Sequence, residues 1–244
     1  VSNRPSKSNS ASQRVRAASN AGKGRSSNML WVGIIAVVMV VGVIAVVATR
    51  GGGSPGGGAA SPSGGTVVPN GNLDNGPVQV KGAGLPQMPT AGPDTAVGQT
   101  VPIVAGAQFD GTQLNITGDG QPMVIIVLAH WCPHCQKEVP LVQKWLDEDG
   151  MPTDVKLFAV ATSNSSAKPN FPPADWLRRE KWSVPTIVDD KDNTAGNAFG
   201  VSGFPYFLVV DKEGKVVYRT SGEKTKAEFD AILQAARTGQ ALGA

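Results

Sequence analysis

Six consecutive residues, His130-Trp131-Cys132-Pro133-His134-Cys135, contain both cysteines and both histidines of this 244-residue chain. Its nucleophilic, redox and soft-metal chemistry is therefore concentrated at one place. Ahead of them runs Met123–Ala129 (MVIIVLA), apolar, rich in β-branched residues and of strand length. Behind them Lys137, Glu138, Leu141, Val142, Lys144, Trp145 and Leu146 take up helical spacing. A C-x-x-C at such a junction sets its first sulfur at a helix N-terminus, where unpaired N–H groups and the positive end of the dipole favour thiolate over thiol. Pro133 suits the first turn, which has no intrahelical N–H bond to lose. The chemistry predicted is thiol–disulfide exchange, with Cys132 exposed and attacking and Cys135, one turn inward, resolving.

The neighbouring side chains take roles around that pair. His134 can support the Cys132 thiolate as a donor or, protonated, as a cation. His130, at the strand end, reads as structural, and Trp131 as a packing platform beside the sulfur. Glu138 could accept a proton from Cys135, although a first-turn acid complementing the dipole is the more ordinary role. Pro140 reads as a helix kink, and Trp176 and Trp182 as packing residues.

Other chemistries fit less well. Tetrahedral zinc needs four ligands, and His130, Cys132, His134 and Cys135 are too crowded to surround one ion, with no distant pair to complete a site. Haem attachment fails because Gln136, not His, follows Cys135. A Cu(I) carrier using the Cys132/Cys135 sulfurs remains as an alternative of another class. No metal and no cofactor is expected for the exchange reaction itself.

The elements that position these residues occupy only part of the chain. Residues 1–28 carry Arg4, Lys7, Arg14, Arg16, Lys23 and Arg25 and no acid, a net of +6; from residue 51 on, 15 basic residues (22 less 6 and Arg50) face 19 acids, a net of −4. The basic charge belongs to a tail read as disordered, and nothing supports a nucleic-acid partner for the folded part. Residues 29–48 (MLWVGIIAVVMVVGVIAVVA) are free of charge and, as a helix, span about 30 Å. Their length exceeds a signal-peptide core and Ala48-Thr49-Arg50 is a poor cleavage site, so 29–49 is read as a signal anchor in the cell membrane. The flanking positive charge places the N-terminus in the cytoplasm and the rest on the extracytoplasmic face. Residues 50–95, rich in Gly, Pro and Ser, read as a flexible linker with a root-mean-square span of about 35–40 Å.

From residue 96 strands and helices alternate. Strands are expected near Gln99–Val104, Gln113–Ile116, Met123–Ala129, Val155–Thr162 and Thr186–Val188, with a hairpin of Tyr206–Asp211 and Lys215–Thr220. Helices are expected from the cysteines to about Asp149, near Pro173–Lys181 and Thr194–Phe199, and over Thr225–Thr238, where Thr225 and Glu228 suit a capping box. The pattern implies an α/β fold, a central mixed sheet flanked by helices.

Residues 96–244 resemble the thioredoxin superfamily through Trp131-Cys132-x-x-Cys135, Pro140, and Gly203-Phe204-Pro205-Tyr206-Phe207 ahead of the closing hairpin. The resemblance implies a cis Pro205 facing the cysteines, with Phe204 beside it. The 70 residues from Cys135 to Pro205, and the run Cys135-Gln-Lys-Glu138-Val-Pro140, are similar to the membrane-anchored TlpA-like and ResA-like branch. Pro133-His134 is instead the dipeptide of DsbA-like oxidases, and Ile126 stands where thioredoxins hold a buried Asp. The implied activity is exchange with protein thiols or disulfides and with a membrane redox partner, in the reducing direction by architecture, with a DsbA-like oxidase as the alternative.

Overall fold

The computed structural model describes residues 66–67 and 72–242. The basic tail, the proposed membrane span and the first part of the expected linker lie outside the described residues. No helix among the described residues is long and apolar enough to cross a membrane.

The centre is a five-stranded mixed sheet. It contains β6 (Met123–Leu128), β7 (Lys156–Ala161), β8 (Thr186–Val188), β9 (Tyr206–Val210) and β10 (Val216–Ser221), in the order β10-β9-β6-β7-β8. β6 is parallel to β7 and antiparallel to β9, and it is the middle strand. That position explains why MVIIVL carries no polar residue: both faces are covered, and all six residues are buried. Val124, Ile126 and Leu128 join the core under helices α1 (Pro133–Asp149), α2 (Pro173–Arg179) and α4 (Lys226–Thr238). Met123, Ile125 and Val127 face the opposite core with Val104, Ile116 and Phe199. α1 is the crossover that allows β6 and β7 to run parallel, and it delivers the cysteines to the carboxyl end of β6.

The second layer is a small antiparallel sheet of β3 (Gln79–Lys81), β4 (Ile103–Ala107) and β5 (Gln113–Ile116), accompanied by α3 (Thr194–Ala198). A two-stranded pair, β1 (Thr66–Val67) and β2 (Leu73–Asn75), lies before it. Gly106 permits β4 to approach β8, since a Cβ there would meet Ile187 Cγ2 at 2.7 Å.

The main departure from expectation is where the folded part begins. The linker expected over 50–95 is ordered chain from residue 72 onward, and it is packed. Leu73 and Leu85 are buried, Leu85 N–H bonds to Ala198 O, and Asp94 pairs with the buried Arg219. The Gly/Pro-rich composition concealed these sparse apolar anchors. Within the rest, the strand expected at Gln99–Val104 falls four residues later, at Ile103–Ala107. Thr100 makes only an isolated bridge to Lys215.

Candidate active site

β6 ends in Ala129, and the chain turns on the Cys132 N–H to Ala129 O bond of 3.0 Å before α1 begins. Cys132 is the N-cap, in extended backbone conformation, and Pro133 is the first helical residue. No side chain caps this terminus and no acid occupies its first turn. The two thiols are not joined to each other. Cys132 was expected to be exposed, yet it is only 7 % accessible. Trp131 and Phe204, edge to face at 6.0 Å, flank it, and its Sγ–H points to Phe204 O at 3.7 Å. Cys135 is fully enclosed, and burial, then the nearby Cys132 and Glu138, push its thiol well above the ordinary range. One sulfur thus has a narrow window to solvent and the other has none.

The Phe204–Pro205 bond is cis, and Pro205 closes the floor opposite Cys132 through its neighbour's carbonyl. The loop after β10 is anchored on the same residue: Ser221 Oγ and Gly222 N–H both donate to Pro205 O at 2.9 Å.

Glu138 differs from its ordinary reading. Only 1 % of it is accessible, so it does not serve as a solvent-facing partner for the helix dipole. Its Oε2 accepts the Lys224 N–H at 3.0 Å, while Oε1 has no partner among the described residues. Desolvation, reinforced by Glu223 and Glu228, outweighs Lys224 and pushes the carboxyl up to about 7. It stands three residues after Cys135, on the same helix face. A buried thiol that resists ionisation lies beside a carboxylate that is ready to take a proton near neutrality.

His134 has a partner that the expectation did not name. Its Nδ1 bonds Glu223 Oε1 at 2.6 Å, Lys137 Nζ lies 3.5 Å from the same oxygen, and the imidazole is 62 % exposed. Its recorded bond is to that carboxylate and not to the sulfur. Pro133 and Pro140 are exposed, and Pro140 lies inside α1.

Two residues have structural roles that sequence suggested only in outline. His130 is buried; its Nδ1 lies 2.6 Å from Pro169 O and its Nε2 accepts the Ser165 N–H at 3.1 Å. This pairing requires the neutral Nδ1–H tautomer, and burial lowers the tendency of the ring to protonate. Trp131 Nε1–H donates to Ser163 O at 2.9 Å, with Lys168 Nζ 5.6 Å from its ring centroid. Together they fasten loop 163–172 beside the cysteines. Trp176 is buried, and Trp182 bonds Thr186 Oγ1 and lines a cleft of about 380 Å³ with Phe109 and Leu177. None of the residues discussed around the cysteines lines that cleft.

Comparison with known proteins bears on the family and the fold. The chain is 26 % identical over 140 residues to the thiol-disulfide oxidoreductase ResA of Geobacillus thermodenitrificans, covering 57 % of this chain and 77 % of that one. It is 26 % identical over 149 residues to the thiol:disulfide interchange protein DsbE of Pasteurella multocida, covering 60 % and 77 %. Among solved structures, a hypothetical protein of Sinorhizobium meliloti 1021 shares the fold with a TM-score of 0.50 at 18 % identity, covering 60 % of this chain and 87 % of that one. The Redoxin family profile matches residues 96–233, more than half of the chain. A mixed sheet flanked by helices, with C-x-x-C at the carboxyl end of its central strand, accounts for that match: the chain belongs to the Redoxin family, within the thioredoxin superfamily.

Proposed function

We propose that this thiol–disulfide oxidoreductase is tethered to the cell membrane, works on protein cysteines at the extracytoplasmic face, and runs mainly as a reductase. The observation that carries the reaction is the Cys132/Cys135 pair at the start of α1, with Pro205 opposite and Glu138 beneath. The Cys132 thiolate attacks a client disulfide, one client sulfur leaves, and Cys132 is left in a mixed disulfide. Cys135 gives its proton to Glu138 and attacks Cys132 Sγ. The remaining client sulfur departs as a thiolate and is protonated, so the client gains two electrons and the cysteine pair loses them. A membrane redox partner must then return the pair to the dithiol.

The reducing direction is supported by the tether, by the 70 residues from Cys135 to Pro205 and by the run Cys135-Gln-Lys-Glu138-Val-Pro140, all similar to the ResA-like branch. An oxidase needs its reduced form strongly stabilised, and one histidine beside the pair does not supply all of that. The expected reduction potential lies between those of thioredoxin, about −270 mV, and DsbA, about −120 mV. Equilibration of the protein with glutathione buffers measures it. A value near that of DsbA, with efficient oxidation of a reduced test protein, would install the oxidase instead.

The tether is supported by the uncharged run 29–48 behind a +6 flank. Protease added to intact spheroplasts is expected to remove the folded part, whereas protection until lysis overturns the topology.

A further inference from the structure

We propose that Lys224 is the positioning residue that sets when Glu138 can take the Cys135 proton, an inference that rests on the proton-acceptor reading of Glu138 above.

The Glu138 carboxylate is enclosed, yet its recorded hydrogen bond is a single one, from the Lys224 backbone N–H. One backbone donor does not balance a buried negative charge, and the remainder must come through space. The groups that act on it come from two elements. Cys135, on α1 with Glu138, feels its charge in return; Glu223 and Lys224 lie on the loop between β10 and α4, and Glu228 in the first turn of α4. The two carboxylates oppose ionisation of Glu138, and Lys224 is the cation among these groups.

The ammonium itself is locked. It donates to Ser221 O at 3.0 Å, Gly222 O at 2.7 Å and Glu223 O at 3.3 Å, and lies 5.4 Å from the Phe207 ring centroid. Three carbonyls and an aromatic face hold the charge at one place, so its field at Glu138 does not depend on a wandering side chain. Burial lowers the ammonium's own affinity for its proton while Glu138 raises it, the mutual influence expected of a coupled pair. The same loop grips Pro205 O through Ser221 and Gly222. Lys224 therefore connects the strand opposite Cys132 with the proton acceptor below Cys135.

The step at issue is resolution: the Cys135 S–H proton passes to Glu138, the Cys135–Cys132 bond forms and the Cys132–client bond breaks. The probe is the full chain carrying a thionitrobenzoate mixed disulfide on Cys132, from which Cys135 releases the coloured thiolate. Release should rise with pH along a limb that Glu138→Gln removes. Lys224→Met should move that limb up by about one pH unit, because an opposite charge nearby shifts a carboxyl by about 1–3. Below the limb release should be about tenfold slower. Lys224→Arg should leave the limb in place, and Lys224→Gln serves in place of Met should Met fail to fold.

If Glu138→Gln abolishes the limb but Lys224→Met leaves it unmoved, Lys224 merely ties its loop and the inference is wrong. If Glu138→Gln leaves the limb intact, the acceptor reading fails instead. The carbon-13 titration of the Glu138 carboxyl in wild type and Lys224→Met then decides the lysine separately, and an unshifted titration overturns it.

Discussion

At the scale of single residues the site divides labour by depth. Replacing Cys135 with Ser should trap client proteins on Cys132, since no resolving thiol remains, while Cys132→Ser should trap none; non-reducing electrophoresis of captured adducts reads both. Glu138 adds a dependence of stability on pH. Its carboxyl is about 7 in the fold against 4.5 ordinarily, so the folded state binds the proton more tightly than the unfolded chain does. The stabilisation is fully present below about 4.5 and is lost as pH rises through about 7, up to about 3 kcal/mol from this group. Denaturant titrations at pH 5 and 8 should show that difference shrink in Glu138→Gln, and an unchanged difference would contradict the burial argument. The cysteine pair was legible from its motif and spacing, and the cis Pro205 only through the resemblance to the thioredoxin superfamily. Glu138 was legible in principle: Cys135, Val139, Val142 and Leu146 define the buried stripe of α1, and position 138 falls within it. The partner of His134 was not, because Glu223 lies 89 residues further on and no local pattern brings them together.

At the scale of elements, sequence periodicity located most of the strands and helices after residue 112 to within a residue or two. That portion alternates regularly and its helix starts are chemically marked. α4 shows why: Thr225 and Glu228 form the reciprocal capping box that their spacing announces. Thr225→Ala should cost about 1 kcal/mol, read as a lower denaturant midpoint at constant slope. Loop 163–172 had no such signature, because its order comes from His130 and Trp131 reaching out of another part of the chain. His130→Ala would strand the Pro169 carbonyl and the Ser165 N–H, and hydrogen exchange across that loop should accelerate. Exchange confined to the loop would mark His130 as its fastener, whereas unchanged exchange would refute the assignment.

At the scale of the whole molecule, the family match starts at residue 96 and the fold does not. Asp94 receives the Arg219 Nε–H at 2.7 Å, and the guanidinium also reaches Pro86 O and the Tyr206 hydroxyl. Gly200, at φ +69, sits so close to Pro86 O that a side chain there would collide with it. Asp94→Ala leaves Arg219, with no side-chain exposure, without its counter-charge, and should cost about 3 kcal/mol. A chain beginning at residue 96 should melt well below one beginning at residue 72, by calorimetry. Equal melting temperatures would show that the strap is an ornament. Composition hid it because its few apolar anchors are separated by Gly and Pro, and because its polar partner Arg219 lies more than a hundred residues away.

The same segment has a consequence for the company the protein keeps. Residues 98–101 exchange backbone bonds with 214 and 216 at the start of β10, and Gly76 N–H meets Asp189 O just beyond β8. The β10 border is thereby met by residues at the start of the family match, and the chain just beyond β8 by a residue that precedes it. An exposed strand border is a template on which foreign extended chain accumulates. Under the proposed exchange with protein cysteines, a client that arrives partly unfolded would bring such chain with it. Closed borders would let such a client be held by sulfur alone and released without co-aggregating.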